Sequence, residues 1–79
     1  MKLRVFITLK PGVLDPQGEA IRHALSALGF EGVNGVRQGK MIELDLAEEN
    51  ADKAVDQARS MCEKLLSNTV IESYRIEPA

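Results

Sequence analysis

The sequence predicts one small α+β domain, residues 1–79, in which a small antiparallel sheet carries two helices on one face. Near the start, middle and end of the chain, apolar residues alternate with polar ones, which is the period of half-buried strands. Between these stretches lie two segments whose apolar residues recur at i, i+3, i+4 and i+7, the period of amphipathic helices. The order is therefore β-α-β(β)-α-β, a two-layer sandwich of ferredoxin-like type.

The first strand starts beside the N-terminus and ends at Leu9. One face carries Leu3, Val5, Ile7 and Leu9, and the other carries Lys2, Arg4, Phe6 and Thr8. The segment Lys10-Pro11-Gly12-Val13 then predicts a tight turn. Proline presets φ at the first central position of such a turn, and glycine tolerates a positive φ at the second.

A helix is predicted over about 16–28. Asp15 is a good N-cap, and Pro16 suits the first helical position, where a missing N–H costs nothing. Its apolar face consists of Ile21, Ala24, Leu25 and Leu28. Gly29 is a natural stop. Gly18 costs up to ~1 kcal/mol relative to alanine in a helix. It indicates either a tolerated glycine in a fraying first turn or a position where another backbone comes close.

The middle of the chain predicts a strand with alternating apolar positions. These positions are Ile42, Leu44 and Leu46. The residues before it leave two alternatives open. Either 33–37 is a short strand that turns at Gln38-Gly39, or 33–46 is one long strand with a glycine bend.

Asn50 can cap a second helix, whose apolar face runs across four turns. That face consists of Ala51, Ala54, Val55, Ala58, Met61, Cys62 and Leu65. Asn68 is a plausible end of this helix. Residues 70–77 predict a last strand rich in Val, Ile and Tyr, although Glu72 falls in phase with its apolar residues.

Composition argues against nucleic-acid and membrane binding. Ten basic and twelve acidic residues give a net charge of −2, and Phe6, Phe30 and Tyr74 are the only aromatic residues. Neither a basic stripe nor stacking platforms are present, and no apolar run approaches the ~20 residues of a spanning helix. The single cysteine, Cys62, excludes an internal disulfide framework, so a cytoplasmic location is the default expectation.

A chain of this size buries a small core, which favours self-association. With both helices on one face, the other face of the sheet is bare. Phe6, Thr8 and Met41 lie on that bare face, and we expect them to contribute to a homo-oligomer interface.

No residue pattern in the chain predicts a catalytic or metal site. His23 reads as a solvated helical histidine and Cys62 as a buried apolar residue, since neither has the neighbours that acid–base or thiolate chemistry needs. No CxxC is present for a metal. The segment "GVNGVRQGK" lacks the spacing of a phosphate loop leading into a helix. A turn that presents Arg37 and Lys40 to an acidic partner is the favoured interpretation.

Three segments of the sequence carry recognisable motifs: "VFITLKPGVLDPQGEAI", "GF..V..VRQGKMIEL.L" and "MCEKLLSNTVIESYRIE". They resemble the PurS family, the small subunits of phosphoribosylformylglycinamidine (FGAM) synthase, and the resemblance covers essentially the whole chain. "LKPGVLDPQG" is the most specific part. Thr69 stands where the family often has proline.

The resemblance implies a non-catalytic subunit of an enzyme complex, a C–N ligase with glutamine as amide donor. A large synthetase subunit and a glutaminase subunit would be its partners, besides other copies of itself as a dimer or tetramer. The small subunit would bridge them and support ammonia transfer during the ATP- and glutamine-dependent conversion of formylglycinamide ribonucleotide (FGAR) to FGAM. This chain would hold no cofactor, and ATP and Mg would bind in the synthetase subunit.

The resemblance also suggests where partners dock. The candidate residues carry family motifs without an evident core role: Lys10, Pro11, Gly12, Asp15, Gln17, Gly18, Arg37, Gly39 and Lys40. Two other functions remain open. One is a regulatory ligand-sensing module that dimerises through its sheet. The other, an acylphosphatase-like enzyme, is disfavoured because no arginine follows the first strand and Asp15 would repel phosphate.

Overall fold

A computed structural model describes all residues, 1–79. Its elements are β1 (Lys2–Leu9), α1 (Pro16–Ala27), β2 (Lys40–Asp45), α2 (Ala51–Met61), a π-helical turn (Cys62–Leu66) and β3 (Glu72–Pro78). The three strands form one antiparallel sheet in the order β2-β1-β3. The predicted fold class is thereby confirmed. No helix is long and apolar enough to cross a membrane.

The register places the predicted apolar face of β1 in the core. Val5 lies opposite Ile42 on β2 and Ile76 on β3, so all three side chains point to the same side of the sheet. Leu3, Val5 and Ile7 are fully buried against Ala54, Ala58 and Cys62 of the α2 segment. The core therefore sits between the central strand and α2.

Both predicted N-caps are present. The side chain of Asp15 accepts the N–H of Gly18, and that of Asn50 accepts the N–H of Lys53. Helix α1 ends one residue before the predicted 28. Of the two alternatives for the next segment neither is found, because residues 30–39 contain no strand and β2 begins only at Lys40.

The apolar face of the second helix changes phase at its end. The N–H of Ser67 donates to the carbonyl of Cys62, five residues back, which is the hydrogen bond of a π turn. This turn adds a residue to the helical repeat. Leu66 therefore packs on the core, and Leu65, expected on the apolar face, is 83% exposed.

The last strand begins two residues later than predicted. Residues 68–71 form a turn in which the carbonyl of Asn68 accepts the N–H groups of Ile71 and Glu72. The carboxylate of Glu72 in turn accepts the N–H of Asn68 at 2.6 Å. This hydrogen bond explains why an acidic residue occupies an apolar phase of the strand.

The two helices differ in how they pack. Helix α2 covers the sheet as predicted, but no side chain of α1 belongs to either core cluster, and Gly18 is the only buried residue of α1. The covering of the sheet face by both helices is thus found for α2 alone. Only 8 of 79 residues are buried, so a single chain has a very small core.

Candidate docking site at the end of the sheet

The two sequence segments predicted to dock partners meet at one end of the sheet. β1 ends there and β2 begins there, with Ile7 paired to Lys40. The loop after β1 leads into α1, and residues 35–39 return from α1 to β2. We call residues 9–18 together with residues 35–40 the arm base, because they hold the start of α1, the arm of the molecule that joins neither core cluster. All nine predicted docking residues lie in it.

Arg37 holds the loop after β1 in place. Its guanidinium donates to the carbonyl of Val13 at 2.9 Å, to that of Lys10 at 3.0 Å and to that of Leu9 at 3.2 Å. These carbonyls belong to a turn that has few hydrogen bonds of its own, and a guanidinium is a planar multiple donor suited to several acceptors. Arg37 is therefore an internal cross-link as well as a surface cation.

Asp15 makes the second connection between the segments. One carboxylate oxygen accepts the N–H of Gly18 at 2.8 Å, and the other accepts the N–H of Gln38 at 2.8 Å. These two hydrogen bonds, that of Gln38 first, and the nearby charge of Arg37 lower the pKa of Asp15 below its usual range. The carboxylate is thus held charged and engaged.

Two glycines allow the backbones to approach each other. A Cβ at Gly18 would overlap the carbonyl oxygen of Val36, and a Cβ at Gly39 would lie 2.6 Å from the carbonyl oxygen of Ile7. Of the two interpretations of Gly18, the close approach of another backbone is the one found. Gly12, with φ of +86°, supplies the positive φ of the predicted turn.

Lys10 ties the arm base to the turn before β3. Its backbone N–H donates to the carbonyl of Ile71 at 2.8 Å, and its ammonium donates to the carbonyl of Thr69 at 2.7 Å. The N–H of Thr69 donates no hydrogen bond within the chain. The proline often found at this position in the family would therefore lose no hydrogen bond here.

An open groove of about 570 Å³ runs along the arm base. It is bordered by the loop after β1 on one side and by Val36 and Arg37 on the other. Leu14 lies at its edge and is 87% exposed. Pro11, Gln17 and Lys40 are also exposed. These exposed groups surround a rigid backbone, which is an arrangement suited to binding another protein surface.

The bare face of the sheet is mixed in character. Phe6 lies opposite Met41 on β2 and opposite Arg75 on β3, whose guanidinium stands 4.6 Å from the centre of the Phe6 ring. Thr8 lies opposite Ser73. The apolar part of this face is limited to the pair Phe6–Met41, and its role in an interface stays a prediction.

Titratable groups elsewhere form no catalytic arrangement. Burial raises the pKa of the Cys62 thiol, helped by the charge of Glu63, so the thiolate is disfavoured. Tyr74 donates its hydroxyl to Glu63 at 2.7 Å, which raises the pKa of Tyr74. His23 is exposed, and its Nε2 lies 3.6 Å from Oε1 of Glu19. No group of three or more His, Cys, Asp or Glu is placed to hold a metal ion.

The sequence did not reveal all of the arm base. Leu14 and Val36 line its groove, but neither belongs to a periodic pattern. Leu14 lies within the motif "LKPGVLDPQG" as an apolar residue among turn and capping residues, and Val36 lies within "VRQGK". Neither motif predicted a groove, and the backbone oxygen that Val36 contributes does not depend on its residue type.

Comparison with known proteins identifies similar chains. The PurS family model, described as phosphoribosylformylglycinamidine (FGAM) synthase, matches residues 2–79. The chain is 49% identical over 77 residues to the phosphoribosylformylglycinamidine synthase subunit PurS of Bacillus subtilis, covering 96% of this chain and 89% of that protein.

Solved structures show the same fold at similar sequence. The crystal structure of Methanocaldococcus jannaschii PurS, a subunit of formylglycinamide ribonucleotide amidotransferase, superposes with a TM-score of 0.87 at 46% identity, covering 96% of this chain and 92% of that chain. A chain of PurLQS from Thermotoga maritima superposes with a TM-score of 0.89 at 33% identity, covering 99% of this chain and 95% of that chain.

Proposed function

The chain belongs to the PurS family, the subunits of FGAM synthase in purine biosynthesis, and we propose that it bridges the synthetase and glutaminase subunits of that complex. In this role it supports the passage of ammonia from the glutaminase to the synthetase, where FGAR is converted to FGAM with ATP and glutamine. In this proposal the catalytic groups, ATP and Mg belong to the synthetase subunit. This chain contributes docking surfaces that position the two subunits relative to each other.

The similarity to the Thermotoga maritima chain carries the proposal. That chain is part of PurLQS, and the likeness extends over 99% of the present chain with a TM-score of 0.89. A backbone that is alike over its whole length can offer the same docking surfaces. The subunits that PurL and PurQ represent are therefore the partners proposed for this chain.

The arm base supports an assembly role. The charged groups of Asp15, Arg37 and Lys10 are all engaged with backbone groups of the chain itself. Such hydrogen bonds fix the shape of a loop and leave no free acid, base or nucleophile aimed at a substrate. A rigid loop cluster with exposed apolar and polar groups around it favours protein recognition.

We also propose that the chain is a homo-oligomer in a cytoplasmic complex. With 8 of 79 residues buried, the core of a single chain is too small to be the whole of the folded unit. The free and buried thiol of Cys62 fits a reducing compartment.

Co-assembly with the two partners tests the proposal. The synthetase and glutaminase subunits are mixed with and without this chain, in the presence of glutamine, ATP and Mg, and the molar mass of each species is measured after size-exclusion chromatography. We expect one species that contains all three proteins, and separate partners when the chain is omitted. The proposal fails if the synthetase and glutaminase subunits bind each other equally well without this chain, or if this chain elutes apart from both of them.

A further inference from the structure

The dipeptide Asn34-Gly35 lies in a segment that no helix or strand restrains. Residues 30–39 contain neither element, and both residues of the dipeptide are exposed. The backbone N–H and carbonyl groups of residues 31–37 take part in no hydrogen bond within the chain. Exposed backbone without hydrogen bonds changes conformation at little cost in free energy. The backbone around Asn34 can therefore rotate while the rest of the fold stays in place.

Asn34 also differs from the other two asparagines of the chain in what its side chain contacts. The amide oxygen of Asn50 accepts the N–H of Lys53 at 3.1 Å, and that of Asn68 accepts the N–H of Val70 at 3.2 Å. The side chain of Asn34 makes no hydrogen bond within the chain. Its carboxamide is therefore held in no fixed orientation and is open to water.

The residue after Asn34 adds a third condition. Gly35 has no Cβ, and a Cβ built there would meet no atom within 4 Å. Glycine leaves its own backbone nitrogen uncrowded and gives the chain the widest range of conformations. Asn50 is followed by the first residue of a helix, and Asn68 is followed by a β-branched threonine. The backbone nitrogen of the next residue thus approaches the side-chain carbon most easily at Asn34.

We propose that Asn34 deamidates without an enzyme, and that its products change the charge and the backbone path at the groove of the arm base. The nitrogen of Gly35 forms a bond to Cγ of Asn34, and its proton passes to the amide nitrogen, which leaves as ammonia. A five-membered succinimide ring results. One water molecule then opens the ring at either carbonyl, which gives aspartate in one case and isoaspartate in the other.

Both products alter one wall of the groove. Gly35 borders the groove together with Val36 and Arg37. Each product adds one negative charge, which opposes the positive charge that Arg37 and Lys40 bring to the arm base. Isoaspartate also lengthens the chain by one backbone atom, because the backbone then runs through the side-chain carbon. The reaction therefore changes the surface on which partners are proposed to dock.

The fold is expected to survive this reaction. The contacts that hold the arm base begin at Val36, whose carbonyl oxygen lies against Gly18, and they continue through Arg37 and Gln38. All of them follow the modified bond in sequence. Residues 31–33, which precede it, make no hydrogen bond that an extra backbone atom would break. A deamidated chain is thus a folded chain with an altered groove.

Peptide mapping of the incubated chain tests the modification site. Trypsin places each asparagine in a peptide of its own, residues 23–37, 41–53 and 65–75. After incubation of the folded chain in mildly alkaline buffer, we expect the first peptide to gain one mass unit and to separate into aspartate and isoaspartate forms. We expect the other two peptides to keep their mass over the same period. Equal reaction at Asn50 or Asn68, or an unreacted Asn34, would overturn the proposal.

Gly35→Ala is the matched control variant. Its Cβ meets no atom within 4 Å, so the fold is kept, but the added methyl group hinders closure of the ring. We expect a several-fold slower deamidation of Asn34 at an unchanged melting temperature. An unchanged rate would contradict attack by the nitrogen of residue 35.

A second measurement tests what the products do. The deamidated chain is separated from the fresh chain by anion exchange, and Asn34→Asp supplies the aspartate product alone. We expect equal melting temperatures for all three, and slower association of the two charged forms with the synthetase and glutaminase subunits by surface plasmon resonance. A lower melting temperature or an equal association rate would contradict the proposed effect on the groove.

The association measurement rests on the function proposed above, and its outcomes separate the two proposals. If neither the fresh nor the deamidated chain binds the partner subunits although Asn34 has reacted, the subunit role is wrong and the modification site stands. If the fresh chain binds but Asn34 does not react, the modification site is wrong and the subunit role stands.

Discussion

The carboxylate of Asp15 accepts the backbone N–H of Gln38 at 2.8 Å across 23 positions of sequence. Its second oxygen caps α1 through the N–H of Gly18. A single side chain therefore starts the helix and binds the segment that returns to β2. Together with Arg37 and its three carbonyl acceptors, it makes two distant sequence motifs into one rigid surface.

Acid is expected to loosen this surface. The hydrogen bonds from Gln38 and Gly18 lower the pKa of Asp15. A lowered folded-state pKa contributes stability above the unfolded value, near pH 4, and this contribution is lost as the pH falls through the folded pKa. In an NMR titration, the Gln38 amide should shift and lose protection only at acidic pH. Asp15→Asn keeps a helix cap but has no titrating carboxylate. An acid transition at Gln38 that persists in Asp15→Asn would contradict this assignment.

Gly18→Ala is expected to destabilise the chain despite alanine's better helix propensity. Alanine gains up to ~1 kcal/mol in a helix. The overlap of its Cβ with the carbonyl of Val36 costs about 1–3 kcal/mol, as overpacking does. Gly35→Ala is the control, because its Cβ would meet nothing within 4 Å. Urea denaturation measures both variants, and Gly18→Ala at least as stable as Gly35→Ala would refute the close approach.

Replacement of Lys40 tests docking at the arm base more directly than replacement of Arg37. Arg37 binds three carbonyls of its own chain, so its replacement disturbs the loop as well as the surface charge. Replacing Arg37 and Lys40 together would therefore not report on docking alone.

The Lys40→Ala variant retains the chain's internal hydrogen bonds. Lys40 is exposed, and its ammonium takes part in none of the chain's side-chain hydrogen bonds or ion pairs. We expect slower, more weakly salt-dependent association with the partner subunits, measured by surface plasmon resonance, because a charge at the rim of an interface acts mainly on the association rate. Lys53→Ala, on the exposed side of α2, should bind like the unmodified chain. If the two variants behave alike, Lys40 does not dock.

Leu66→Ala tests the π turn. Leu66 packs against the cluster of Val5, Ile7 and Cys62. Truncation of a fully buried leucine to alanine lowers the free energy of unfolding by about 2–5 kcal/mol. We expect a smaller loss here, because Leu66 is half-buried. Leu14→Ala removes the same atoms from an exposed site and should cost almost nothing. Thermal unfolding compares them. Equal stabilities would mean that Leu66 does not contribute to the core.

The sequence predicted the parts of this fold that depend on local rules. The caps at Asp15 and Asn50, the turn at Gly12 and the alternation of β1 all follow from neighbouring residues. It misassigned Leu65 because the 3.6-residue period assumes an uninterrupted α-helix. The direction of α1 depends on contacts between segments more than 20 positions apart, which no local pattern records.

The residues expected to dock partners lie together in the arm base, and their docking role stays a prediction. Lys10, Asp15, Gly18 and Arg37 were chosen as docking residues without a role in the core, and each proves to have an internal partner. The helix cap of Asp15 was predicted, but the other partners are backbone groups of distant segments, which the residue types around them do not reveal.

Comparison of two nitrogen donors tests the central claim most directly. FGAM formation by the synthetase and glutaminase subunits is measured with glutamine and, separately, with ammonium chloride, while this chain is titrated in. A bridging subunit predicts that glutamine-dependent activity rises to a plateau at a fixed stoichiometry, whereas ammonium-dependent activity does not change. Full glutamine-dependent activity without the chain, or an equal rise with both donors, would contradict the account.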